Sequence, residues 1–239
     1  MQPFEVPAQV HRILFMRHPE SVANTQRFFS GRRDVELTEH GVEQREHAVR
    51  ALVAFHPDRI WTSPLSRCKD MAQMAATELG IPCEVKDDLA EMDFGILESK
   101  RFADAEEILK PYGLTFPWAS DKNGHSIPAP EAESYEQVRS RCRNILNELS
   151  SLSGRTVCIS HGGYLRSMMA EIFGIPGSSS CILQMSLQSS LLVQAVLISS
   201  LVDLTLIQKR LFVVPLSQVF TIFVTFGVSP RGISNDCCY

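Results

Sequence analysis

The 239-residue chain has no C-x-x-C pair, no internal repeat and, beyond residue 171, almost no charge of either sign. Its cysteines are seven, an odd number: Cys68, Cys83, Cys142, Cys158, Cys181, Cys237 and Cys238. That count and spacing argue against a disulfide framework or a cysteine zinc site, and for free thiols in a reducing cytosol. The first residues, Met1-Gln2-Pro3-Phe4-Glu5-Val6-Pro7, carry neither a basic nor an apolar signal region, so no secretory address is read there. A net charge of −4 leaves no broad basic face for a nucleic-acid backbone, though it allows a small basic pocket. What is present is ordinary for a globular protein. The chain is 44% hydrophobic and 21% charged, which excludes a disordered, collagen-like or coiled-coil protein. Its length fits one domain with a lid or tail.

The charge is unevenly placed. Of 50 charged residues, only Asp203, Lys209, Arg210, Arg231 and Asp236 lie beyond residue 171. Leu211 to Ser229 has no charge and is long enough to cross a bilayer, but Pro215, Ser217, Gln218, Thr221 and Thr225 interrupt it. Its Val, Ile, Phe and Thr content is that of strands. Sheet strands followed by a poorly packed tail are the expectation, with a membrane anchor as the competing reading.

Earlier in the chain, short apolar runs alternate with helical periodicity. Ile13-Leu14-Phe15-Met16 reads as a buried strand ending in Arg17-His18-Pro19. Thr38 caps a helix from Glu39 to about Ala54, with Val42, Val49, Leu52 and Val53 inward. Arg59 to Thr62 is a second strand. Ser63-Pro64 reads as a cap and first helical position, and Gly80 as the stop of that helix. Cys83 to Lys86 is a third strand. Ser134-x-x-Gln137 is a capping box whose helix turns Val138, Cys142, Ile145, Leu146 and Leu149 inward. Thr156 to Ser160 is a further strand, followed by His161-Gly162-Gly163 and a helix to about Gly174; Ile182–Met185 and Leu191–Val196 read as the last strands. The expected fold is α/β: a doubly wound, mostly parallel sheet flanked by helices, with an inserted lid and an atypical apolar C-terminal tail. The lid covers about residues 99–133, rich in Pro and Gly; the domain runs over 1–197 and the tail over 198–239.

In such sheets ligands bind beyond the carboxyl ends of the strands. Arg17-His18, Ser63-x-x-x-Arg67, Glu91 and Ser160-His161-Gly162-Gly163 all fall there. Two arginines, two histidines and one carboxylate suit phosphoryl transfer through a covalent histidine. Neutral imidazole is nucleophilic near pH 7. Arginine grips phosphate oxygens with a fork of donors. A glycine-rich helix N-terminus suits an anion. A carboxylic acid can protonate the leaving oxygen and then activate water. Glu20, Asp87, Asp88 and Asp93 compete with Glu91 for that role. For Arg32 and Arg33, contact with a substrate anion and plain solvation stand equal. His40 and His47 lie on an exposed helix face, without the spacing of a zinc pair. Phe102, Tyr112, Phe116 and Trp118 either stack on a substrate ring or form the lid's own core.

Arg17-His18-Pro19-Glu20-Ser21-x-x-Asn24 resembles the R-H-G-E-S/T-x-x-N signature of the histidine phosphatase (phosphoglycerate mutase-like) superfamily. Gly31-x-x-Asp34-x-x-Leu37-Thr38-x-x-Gly41-x-x-Gln44, Ser63-Pro64-Leu65-Ser66-Arg67, Leu89-x-Glu91-x-x-Phe94-Gly95 and Ser160-His161-Gly162-Gly163 are similar to its following motifs, in its order, over about residues 11–195. The resemblance implies His18 as nucleophile and phosphate carrier. It implies Arg17, Arg67, His161, Asn24 and Gly162 around the phosphoryl group, and Glu91 as acid then base. It further implies a metal-independent phosphomonoesterase, a phosphoric monoester hydrolase of the histidine acid type, without cofactor, acting on a small phosphorylated metabolite. Neither a nucleic acid nor a membrane is expected as partner, and the oligomeric state is left open. A cofactor-dependent mutase and a catalytically dead phosphate-binding scaffold are the alternatives. A mutase is expected to carry a longer, more basic insertion, whereas Pro111 to Ala132 holds only Lys122 and His125 as basic residues. Pro19 replaces the usual glycine, and Glu131-Ala132-Glu133-Ser134 replaces a Gly-Gly-Glu-Ser lid motif.

Overall fold

A computed structural model describes residues 10–116, 127–173, 210–216 and 219–227, the last two ranges as strand backbone. In chain order the elements are β1 (Val10–Arg17), α1 (Val22–Gln26), α2 (Glu39–Phe55), β2 (Arg59–Thr62), α3 (Ser66–Leu79), β3 (Cys83–Val85), α4 (Ala105–Leu109), α5 (Tyr135–Ser150), β4 (Arg155–Ser160), α6 (Gly162–Phe173), β5 (Arg210–Leu216) and β6 (Val219–Gly227). They form one sheet of order β3-β2-β4-β1-β6-β5. The first four strands pair in parallel, while β6 pairs antiparallel to β1 and β5 antiparallel to β6.

Alternation along β1 explains why both faces are covered. Ile13 and Phe15 enter a core with residues of α5 and α6. Leu14 and Met16 enter a second core with residues of α2 and α3. Successive strand side chains point to opposite faces, so an unbroken apolar run requires helices on both sides. That is the doubly wound arrangement expected from the sequence.

Several local expectations shift. In α2 the buried line is Gly41, Gln44, Ala48, Val49 and Leu52, and Val42 is 37% exposed. The stripe centres on the 41–44–48–52 positions, which turns Val42 about one residue step outward. Helix α3 starts at Ser66 rather than Pro64, because Leu65 is still extended, with ψ 138. Asp34, from a distant loop, accepts the Ser66 N–H at 2.7 Å and so supplies the cap. Gly80 closes α3 with φ +66, the left-handed turn a glycine adopts at low cost. The Ser134–Gln137 capping box opens α5 as read.

The inserted segment carries α4 and its own small core. Phe29, Leu97, Ala105, Leu109 and Ala129 are buried together, with Phe94, Phe102 and Phe116 packed against them. Phe102 stands edge-on to Phe29 at 4.4 Å, so the lid-core reading holds for Phe102 and Phe116. Tyr112 is 56% exposed, and Trp118 lies outside the described residues. The uncharged stretch from Leu211 to Ser229 contributes β5 and β6 to the sheet. Pro215 sits in β5, the edge strand, where a missing N–H costs no inner ladder bond. Among the described residues no helix is long and apolar enough to cross a membrane. The strands expected at Ile182–Met185 and Leu191–Val196 lie outside the described residues.

Candidate active site

The parallel strands β1, β2 and β4 end at one edge, and the turns that follow carry the site. Backbone bonds join these ends: His18 N–H donates to Ser160 O at 3.0 Å, and Ser63 N–H to Ile159 O at 2.9 Å. The Ser160 hydroxyl donates to Leu89 O at 2.7 Å, tying the end of β4 to the segment that bears Glu91. His18, Arg67, Glu91 and His161 are all buried, His161 completely.

The rings of His18 and His161 lie 5.1 Å apart, tilted by 54°. His18 Nδ1 is 2.6 Å from Pro19 O. A carbonyl can only accept, so that bond places the proton on Nδ1 and leaves the Nε2 lone pair free. The residue that departs from the family pattern thus serves through its carbonyl; its missing N–H has no bearing on this bond. Burial, then the charges of Arg17 and Arg67, hold the His18 pKa well below its ordinary 6.5. Burial does the same to His161, helped by His18, Arg67 and Arg17. Both rings are therefore neutral at pH 7. His161 Nε2 meets the Ser63 hydroxyl at 2.7 Å.

Arg67 is fixed from behind. Its Nη1 donates to Arg33 O at 2.8 Å and its Nη2 to Gly31 O at 3.0 Å. The buried Nε of Arg67 and that of Arg17 have no hydrogen-bond partner among the described residues. Such orphaned donors are costly unless something accepts from them. Burial lowers the Arg17 pKa, while Glu91 raises it. A Cβ on Gly162 would sit 3.2 Å from the Arg17 guanidinium carbon, so glycine lets helix α6 lie directly on that group.

Glu91 occupies the N-terminus of α6. One oxygen accepts from Tyr164 N–H at 2.8 Å and from Met92 N–H at 2.9 Å, and the other from Gly163 N–H at 3.1 Å. The anion site expected at this helix end is filled by the protein's own carboxylate, which the helix dipole favours. Three of the four competing acids are engaged elsewhere: Glu20 accepts from the Thr38 hydroxyl, Asp88 from Asn144, and Asp93 from Gly95 N–H, while Asp87 is exposed. Asn24 is exposed, and its Oδ1 accepts from Ser21 N–H at 3.0 Å and from the Ser21 hydroxyl at 3.1 Å, so it caps α1.

Sequence reading did not single out Arg141. Its guanidinium forks onto Glu133, with Nε at 2.7 Å from one oxygen and Nη2 at 2.8 Å from the other. Its Nη1 donates to Asp88 O at 2.8 Å and Ala90 O at 3.0 Å, immediately before Glu91. It also lies over the Tyr164 ring, 4.9 Å from the centroid. Burial pushes the Glu133 carboxyl up, but the bonds and charge of Arg141, then Arg32, bring it below its usual range. The available signal was helical spacing: Arg141 lies three residues after the buried Val138 and four before the buried Ile145, on the inward side of α5. His40 and His47 are on the exposed face, as read. Among the described residues no group of three or more His, Cys, Asp or Glu side chains is placed to hold a metal ion.

Two neutral histidines, the fixed Arg67, Arg17 and a helix-held carboxylate thus gather at one parallel-sheet edge, a set whose chemistry suits an anionic ligand. The chain belongs to the histidine phosphatase superfamily (branch 1), whose family model matches residues 13–194. It is 32% identical over 165 residues to a candidate phosphoserine phosphatase of Hydrogenobacter thermophilus, covering 69% of this chain and 79% of that protein. It is 33% identical over 178 residues to a 2,3-bisphosphoglycerate-dependent phosphoglycerate mutase of Chelativorans, covering 69% of this chain and 82% of that one. Its fold matches a mycobacterial glucosyl-3-phosphoglycerate phosphatase with a TM-score of 0.63 at 23% identity, over 73% of this chain and 84% of that one.

Proposed function

We propose that the protein is a metal-independent phosphomonoesterase that hydrolyses a small phosphorylated metabolite through a phosphohistidine at His18. The observation that carries this reading is the bond from His18 Nδ1 to Pro19 O, which leaves Nε2 unprotonated in a ring kept neutral by burial and two arginines. In the first step the Nε2 lone pair attacks phosphorus and the P–O bond to the substrate alcohol breaks. Glu91 enters this step in its protonated form and gives that proton to the leaving oxygen, becoming the carboxylate that the α6 N–H groups hold. In the second step Glu91 takes a proton from water as its oxygen attacks phosphorus, the P–N bond breaks, and phosphate leaves.

Arg17, Arg67 and His161 hold the phosphoryl oxygens throughout, where charge is spread over the equatorial positions. The orphaned Nε groups of Arg17 and Arg67 support that role, because a phosphoryl group supplies the missing acceptors. Gly162 serves by admitting the Arg17 guanidinium against α6. Asn24 keeps its Oδ1 on Ser21, and its Nδ2 amide is the group that would donate to a phosphoryl oxygen. The scheme requires no metal and no cofactor. The matched proteins are named for phosphoserine, glucosyl-3-phosphoglycerate and phosphoglycerate, and this chain is assigned to the same broad class of small phosphomonoesters.

The test is hydrolysis of an aryl phosphate in excess chelator, comparing intact protein with His18→Ala. Turnover that survives chelator and is lost in the variant is the expected result. Transfer between 2- and 3-phosphoglycerate without hydrolysis would point instead to a mutase.

A further inference from the structure

Arg32 stands where the two halves of the site meet. Its backbone belongs to the loop whose carbonyls, Gly31 O and Arg33 O, hold Arg67 at 3.0 and 2.8 Å. Its guanidinium reaches the other side: Nη2 is 3.4 Å from Glu133 Oε2. That same oxygen takes Asp93 N–H at 3.4 Å, and Asp93 is two residues beyond Glu91. Arg32 therefore bridges from the segment of the phosphate-holding arginine to the segment of the acid.

Two guanidinium groups share one carboxylate there. Both oxygens of Glu133 are already taken by the Arg141 fork at 2.7 and 2.8 Å. Arg32 is a second guanidinium on one carboxylate, at a longer distance, with its side chain 44% exposed while that of Glu133 is 9% exposed. Its neighbour Arg33 is 64% exposed and reaches Glu98 only at 3.7 Å. Releasing Arg32 does not strand Glu133, because the Arg141 fork keeps both of its oxygens paired. Its backbone stays in place, since Arg32 N–H donates to Glu98 Oε1 at 2.9 Å. The result, among the described residues, is a pre-positioned, water-accessible arginine whose one acidic side-chain partner is already taken on both oxygens by Arg141.

We infer that Arg32 determines substrate choice, and that the substrate carries a second anion, a carboxylate or a further phosphate, on the alcohol side of the ester. This rests on the phosphomonoesterase reading above. A guanidinium pairs such a group with two parallel bonds, which a neutral alcohol cannot offer.

The experiment uses matched monoesters: phosphoglycolate against ethyl phosphate, 3-phosphoglycerate against glycerol 1-phosphate, and fructose 1,6-bisphosphate against fructose 6-phosphate. The first two pairs read a carboxylate at two spacings, and the third reads a phosphate. In wild type, the second anion raises kcat/KM by about tenfold or more in at least one pair, the effect of a charge-assisted contact. Arg32→Ala removes that preference, and Arg32→Lys restores part of it. Equal kcat/KM within every pair, or a preference that survives Arg32→Ala, overturns the inference. If no monoester is hydrolysed at all, the phosphomonoesterase reading fails by itself. Calorimetric titration of the same pairs then decides the second-anion contact: tighter binding of the doubly anionic member, lost in Arg32→Ala, upholds it, and equal binding overturns it.

Discussion

Two adjacent glycines of α6 do different work. Gly162 faces Arg17, where an added Cβ would be 3.2 Å from the guanidinium carbon, a distance that small adjustments accommodate. Gly163 faces Glu91, where the Cβ would be 2.6 Å from a carboxylate oxygen. The fold tolerates the second clash because the obstructing atoms end a flexible side chain. Catalysis does not, because Glu91 must leave the α6 N–H groups that orient it. Gly163→Ala is expected to lower kcat by roughly 10²-fold, the lower range for a displaced acid–base group. Steady-state kinetics beside a melting curve checks it: wild-type kcat in the variant contradicts the role given to Glu91. At this scale the residue types were legible in sequence, since Arg17, His18, Arg67, Glu91 and His161 each stand in a recognisable motif. The partners that set their states were not. Ser63 stood in a motif without its hydroxyl role being marked, while the Pro19 carbonyl and the long-range Arg141 fork belong to no motif.

Helix ends divide in the same way. The capping box of α5 is local, with Ser134 accepting from Gln137 N–H and Gln137 accepting from Ser134 N–H, so four residues contain it. The cap of α3 comes from Asp34, 32 positions earlier, and the start of that helix was therefore misplaced. The buried stripe of α2 was partly misread for a related reason: Gly41 and Gln44 face inward without being apolar. Gly41 is there because the carbonyl of Glu20 would lie 1.9 Å from any Cβ. Ser134→Ala is expected to destabilise the protein by about 1 kcal/mol, the usual loss of a side-chain cap. Urea denaturation measures it, and a change below about 0.3 kcal/mol would show that the cap contributes nothing to folding.

Across the whole molecule, burial of histidine links the site to stability. His11 joins the end of α5 to β4, with bonds to Leu149 O at 3.0 Å and to the Thr156 hydroxyl at 2.8 Å. Burial lowers its pKa, as it lowers those of His18 and His161. Below the unfolded value of about 6.5, the unfolded chain takes up protons that these folded rings refuse. Stability is thus full above about pH 6.5 and falls as pH drops through the region below it; the lowered Glu133 carboxyl adds a further loss in more acid solution. Urea midpoints at pH 7.5 and 5.5 test this, and equal midpoints would contradict neutral burial of the three rings. The doubly wound sheet was legible from strand–helix alternation. The antiparallel edge formed by β6 and β5 was legible only as strand-rich composition, because nothing local in an uncharged stretch says which strand it pairs with.

The account stands most directly on covalent chemistry at His18. Rapid denaturation of the protein during turnover of a phosphomonoester in chelator, followed by peptide mass spectrometry, reads it. A phosphoryl group that survives base, is lost in acid and maps to His18 is the expected result. Turnover with no phosphoryl group trapped on His18, or turnover undiminished in His18→Ala, would contradict it.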